Sequence, residues 1–180
     1  MKTKTLIEVI KENLNRKEDK RAAKLIKELK GVKERGFLNP EEFIKIGMWK
    51  SPRPKKLYLS STEERIISIS KKAFATNFEK KKIELLAQLK GVSIPTASAI
   101  LTLTDPKDYG VIDIRTWQTL YNYGVLKKNP SGVGFNSKDW YHYLKIIRYY
   151  SRKLNVPTRT IELILFYHHK NNQKGRLYKQ

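Results

Sequence analysis

The chain of 180 residues contains no cysteine. That excludes a disulfide, a cysteine-based zinc site and a cysteine-held iron–sulfur cluster. Long apolar runs are also missing. Nothing approaches the roughly twenty apolar residues that cross a bilayer. The opening MKTKTLIEVIKENLNRKEDK has neither the apolar stretch nor the small-residue cleavage site of a secretory signal. The expectation is an intracellular protein, cytoplasmic or nucleoid-associated, with no membrane partner. Of the three histidines, His168 and His169 are adjacent and His142 stands alone, so none has metal-motif spacing. There is no Walker loop, no G-x-S-x-G elbow and no dinucleotide-binding GxGxxG. No metal and no cofactor are expected.

Acidic residues are scarce. Asp and Glu number 17 against 38 Lys and Arg, giving a formal net charge of +21 and a pI near 10.0. Such an excess repels itself in a folded chain and points to a polyanionic partner, most simply nucleic acid. A Lys-rich solvated surface gives the same count. Charge alone does not separate DNA from RNA.

What is present is helical periodicity. Hydrophobic residues make up 39% of the chain, enough for the core of one domain or of two closely packed lobes. Leu6, Ile7, Ile10 and Leu14 share a face, as do Ala22, Leu25, Ile26 and Leu29. Asn39-Pro40-Glu41-Glu42 is a helix start, with Pro at the first position. Ser51-Pro52-Arg53-Pro54 forces a loop, and Tyr58-Leu59 reads as a short extended piece. Ser61 with Glu64 has the pattern of a capping box. Asn129-Pro130-Ser131-Gly132-Val133-Gly134 reads as a flexible loop. Ser137 and Thr158 are the expected caps of the last two helices. Eight or nine helices and no strand follow.

The most specific stretch runs from Leu85 to Trp117. Ile83, Leu86 and Leu89 line one helix face. Gly91 can take the positive φ that ends a helix. Pro95 suits the first turn of the next helix, and Asp105-Pro106 breaks it. Asp113 then opens another helix carrying Ile114, Trp117, Leu120 and Tyr121.

Leu89-Lys90-Gly91-Val92-Ser93, Thr96-Ala97 and Val111-Ile112-Asp113 stand in the order and spacing of a known pattern. There, Leu-Pro-Gly-Val-Gly is followed by Thr-Ala and, about twenty residues on, by an aspartate. The stretch resembles the core of the helix-hairpin-helix DNA glycosylase superfamily, the endonuclease III-like base-excision enzymes. Ser93 replaces the second hairpin glycine. Pro95 stands where bifunctional members carry their Schiff-base lysine. Lys90 matches the family's proline position.

The resemblance implies an all-α, two-lobed fold over residues 1–180. Helices over 1–36 would pack with the C-terminal helices, a helix-hairpin-helix core would span 40–125, and 171–180 would be a loose basic tail. It implies a monofunctional glycosylase, without an iron–sulfur cluster, that hydrolyses the N-glycosidic bond of a damaged or mismatched base. The expected partner is double-stranded DNA, bound by a monomer. The other readings are a non-catalytic helix-hairpin-helix DNA-binding protein and a basic helical RNA-binding protein.

Asp113 is the expected catalytic residue. Its residue type and position equally suit a helix N-cap, and the two roles are compatible. Backbone N–H groups near Gly91 and Ser93, with the Thr96 hydroxyl, would take a DNA phosphate; an ordinary helix–helix turn has the same sequence. Lys50, Arg53, Lys55 and Lys56 flank the Pro-containing loop and are expected at the DNA backbone. Arg115 would approach the same phosphates or pair with Asp113. Lys138, Lys145, Arg148 and Arg152 share a helix face, either DNA-binding or simply solvated. Trp49 and Tyr58 are the candidate wedge or stacking residues for an extruded base. Trp117 and Trp140 are expected in the core.

Overall fold

A computed structural model describes residues 4–173 and Leu177. Among these there are eleven helices and no strand: α1 Leu6–Glu12, α2 Lys20–Glu28, α3 Val32–Arg35, α4 Pro40–Lys50, α5 Lys55–Leu59, α6 Glu63–Ala75, α7 Glu79–Leu86, α8 Ile94–Thr104, α9 Ile114–Asn122, α10 Ser137–Leu154 and α11 Thr158–Asn172. Two are short helices that periodicity cannot resolve, α3 and α5. Tyr58-Leu59 is therefore helical, not extended.

Helix α8 is the axis of the molecule. Every residue from Thr96 to Leu103 is buried, as expected of a helix apolar on all sides. Helices α2, α4, α7 and α10 pack around it. On one side α4 to α8 form a bundle. On the other, α9 lies along α11, which also contacts α10 and α1. A single apolar core runs through both sides, from Leu6 and Ile10 to Ile161 and Leu165.

Caps set the helix boundaries. Asn39 and Glu42 make a reciprocal capping box ahead of Pro40, at 2.9 Å each way. The cap of α6 is Thr62 rather than Ser61, since its hydroxyl faces Arg65 N. The cap of α10 is Asn136, boxed with Asp139, while the Ser137 hydroxyl donates to Glu84. Pro157 precedes α11 and Thr158 is its first residue. Hydrogen bonds tie the loop at residues 129–134 to α9 and to itself. Trp117 Nε1 donates to Asn129 O at 2.8 Å and Asn129 Nδ2 to Val133 O at 2.9 Å. Of the expected basic tail, residues 174–176 and 178–180 lie outside the described residues.

Tyr58 is fully buried and stands edge-on to Phe43, with its hydroxyl donating to Ser51 O. It is a core residue and has no face to offer a base. Its ring lies flat on α4, where only Gly47 leaves room: a Cβ there would fall 2.7 Å from the ring. Overpacking of this kind typically costs about 1–3 kcal/mol, against a helix-propensity gain of at most about 1 kcal/mol for Ala over Gly. Gly47→Ala is therefore expected to lower stability in urea unfolding. Gly31→Ala, whose Cβ meets nothing within 4 Å, is expected to stay within about 0.5 kcal/mol of wild type.

Candidate active site

The hairpin joins α7 to α8. Gly91 has φ +77°, and a Cβ on it would sit 3.0–3.1 Å from Leu57, Pro54 and Tyr58. It serves both the turn and the close approach of the Pro-containing loop. Ser93 is the N-cap of α8, its hydroxyl accepting from Thr96 N at 3.4 Å. With φ −85° it needs no glycine. The Thr96 side chain is buried, its hydroxyl 3.1 Å from Ser93 Oγ. It therefore does not stand out as a phosphate donor. Pro95 brings no N–H.

The chain then passes through Tyr109–Ile112, a buried segment without regular structure. Its backbone groups cannot reach water and must find partners inside. Side chains from three helices provide them. Ser98 Oγ accepts from Ile112 N at 3.1 Å, Glu162 accepts from Val111 N at 3.4 Å, and Tyr143 donates to Val111 O at 2.9 Å. Burial pushes the Tyr143 phenol well above its ordinary pKa, so it stays a donor. A Cβ on Gly110 would meet Ile147 and Glu162 at 2.7 and 2.9 Å.

This segment delivers Asp113 to the start of α9. Asp113 Oδ1 accepts from Thr116 N at 2.9 Å, and Thr116 Oγ1 accepts from Asp113 N at 3.1 Å. One carboxylate oxygen caps the helix. The other, Oδ2, lies 3.7 Å from Lys50 Nζ. The Asp113 and Lys50 side chains are 19% and 18% exposed.

Both line a cavity of about 480 Å³. Its wall brings together Lys50, Arg53, Ser93, Pro95, Thr96, Asp113 and Arg115 from the sequence reading. Gly91, Lys55, Trp49 and Tyr58 are not on it. Arg53 and Lys55 are exposed. Arg115 turns away from Asp113: its Nη1 bonds Gln173 and lies 3.3 Å from His169 Nδ1. Burial and the nearby Arg115 lower the pKa of His169, whose Nε2 contacts Gln118 Oε1 at 2.8 Å. On α10, Arg148 is committed to Glu79 at 2.7 Å and to Asp108 O at 2.8 Å. The face shared with Lys138, Lys145 and Arg152 thus has one cation tied down.

The opposite wall was missed by sequence reasoning. It carries Val133 and Phe135 from the loop and Phe166 from α11. Val133 is half exposed. Its place between two glycines was the one local signal.

Beneath Asp113 a smaller cavity, about 170 Å³, is lined by Trp49, Lys50, Asp113, Arg159 and Glu162 among others. Trp49 lies over the Arg159 guanidinium, 5.6 Å away. Trp49 is partly buried and lines this second cavity, not the larger one. Arg159 forks onto Glu18 at 2.7 and 2.9 Å and also bonds Glu162. Burial opposes its charge, but Glu162 and Glu18 outweigh that and raise its pKa. Burial raises Glu162 most; Arg159 pulls it back, Asp113 raises it again, and the result is about 7.

The sequence matches no protein-family model and no curated protein. By structure the chain is similar to an 8-oxoguanine glycosylase/lyase of Methanocaldococcus jannaschii, solved in complex with a 15-mer DNA containing 8-oxoguanine. The TM-score is 0.58 at 19% identity, over 93% of this chain and 98% of that one. The chain shares the all-helical fold of that structure.

Two outcomes follow from the buried groups. Ser98→Ala leaves Ile112 N–H without its partner and is expected to cost about 1–3 kcal/mol in urea unfolding; no change would contradict the bond. Glu162 gives a pH signature. Between pH 4.5, its ordinary value, and about 7 the folded state keeps a proton that the unfolded state has released. Stability then falls as pH rises through that window. Unfolding at pH 5 and pH 7.5 should show wild type losing more stability than Glu162→Gln. Equal losses would refute the shift.

Proposed function

We propose that this protein is a DNA base-excision glycosylase that hydrolyses the N-glycosidic bond of a damaged or mismatched base in double-stranded DNA. It acts as a monomer inside the cell. One observation carries the reading: a carboxylate pinned by a helix cap through one oxygen, its other oxygen turned to Lys50 on the wall of a cavity beside the hairpin of a glycosylase-like fold.

A duplex base must leave the stack to reach Asp113. The hairpin turn and the start of α8 take a phosphate through backbone N–H groups, and Arg53 and Lys55 add charge at the backbone. Phe135 and Phe166 offer faces to the extruded base, and the exposed Val133 is a candidate for the wedge. As the base departs, the sugar gains positive charge, which the Asp113 carboxylate stabilises while it orients the attacking water. The base leaves to water, since Pro95 presents no amine at the hairpin. Duplexes containing 8-oxoguanine are the first substrates to try, given the DNA in the similar structure.

A second reading is a DNA-binding protein without chemistry. The Lys50 ammonium beside Asp113 favours it, because it neutralises the carboxylate.

Asp113→Asn decides between them. Asn caps helices about as well as Asp, so the fold is retained while the charge is lost. Base release from a panel of damaged and mismatched duplexes, read as alkali-labile sites, should fall about 10²–10⁴-fold. Full activity in the variant, or no substrate for wild type, would refute the catalytic reading. Binding should fall steeply with salt, with a log–log slope near −4 to −5 for about five phosphate contacts. A slope near zero would remove the electrostatic account.

A further inference from the structure

The cavity wall holds a lysine that base hydrolysis does not use. Lys50 ends α4 and is largely shielded from solvent, yet its Nζ makes no hydrogen bond to Asp113: 3.7 Å is too long for one. The amine is placed but not locked. The other cations on the described wall, Arg53 and Arg115, are guanidiniums, which are not nucleophiles at neutral pH. Lys90 is exposed, bonds Ser60 O at 3.2 Å and is not on the wall.

Base release leaves a sugar whose C1′ opens to an aldehyde, and primary amines condense with aldehydes. We propose that Lys50 is the amine that attacks C1′ of the abasic sugar, giving the protein an abasic-site lyase activity from α4 in place of the hairpin. This rests on the base-excision reading for the source of its substrate.

The steps use only these two side chains and water. The Lys50 ammonium gives a proton to the Asp113 carboxylate. The freed Nζ lone pair attacks C1′ and forms a carbinolamine. Asp113 returns the proton to the carbinolamine oxygen, which leaves as water, and an iminium remains. Asp113 then takes a proton from C2′, and the C–H electrons pass into the iminium to give an enamine. The enamine pushes back, forms the C2′=C3′ bond and expels the 3′-phosphate with its bonding pair. Water hydrolyses the new iminium, frees Lys50 and releases an unsaturated aldehyde, and Asp113 loses its proton to solvent.

The test supplies the product directly. Full-length protein is mixed with a duplex holding a preformed abasic site, in the presence of sodium borohydride, and the adduct is mapped by peptide mass spectrometry. Expected is a covalent adduct on Lys50 in wild type and its loss in Lys50→Arg, which keeps the positive charge. No adduct, an adduct on Lys90 or the N-terminal amine, or undiminished trapping by Lys50→Arg would overturn the proposal. The wild-type map stands even where the variant folds poorly. An adduct on Lys50 without base release from any lesion would uphold this inference and sink the base-excision reading. Base release without an adduct would do the reverse.

Discussion

The site depends on one constraint: the buried run Tyr109–Ile112 must satisfy its backbone without water. Regular structure would do this internally, but this run has none. Ser98 of α8, Tyr143 of α10 and Glu162 of α11 each bond it. The three helices thereby converge on one strip of backbone, and the residue that follows is Asp113. Its position is thus set by both sides of the molecule. The cap onto Thr116 then fixes the carboxylate's orientation, leaving Oδ2 toward Lys50 and the cavity.

Charge is layered beneath that point. Glu18, Arg159 and Glu162 form a buried chain, with Asp113 and Lys50 above it. Removing one partner from such a buried set leaves an uncompensated charge, at a cost of about 3–5 kcal/mol. The exposed pairs, such as Lys4 with Glu12 or Lys45 with Glu41, contribute little by comparison. The buried chain therefore ties α11 to the segment before α2.

Local features were legible in the sequence and distant pairings were not. The hairpin could be read because Gly91 and Pro95 each have one conformational use there. The cap at Asp113 could be read from its position ahead of a helical pattern. Caps at Ser61 and Ser137 fell one residue from the true ones, because Thr62 and Asn136 are equally good cap residues. Tyr58 was misread because its burial depends on Gly47 across α4, a contact no local pattern reveals. The contact of Trp49 with Arg159 is likewise distant in sequence. Neither the meeting of Lys50 with Asp113 nor Glu162 beneath them leaves a local signal. Val133 was read as part of a flexible loop because of the glycines on either side, and Phe135 drew no reading; the bonds of Asn129 tie that loop.

The proposed function requires the cavity lined by Asp113, Lys50 and Phe135 to receive an extruded nucleotide. A crystal structure of the protein with a duplex containing an abasic-site analogue tests this most directly. Expected is the analogue outside the helix, its sugar facing the Asp113 carboxylate, with a neighbouring phosphate on the hairpin at Gly91–Ser93. A complex in which the analogue stays stacked, or the duplex lies on another face, would contradict it.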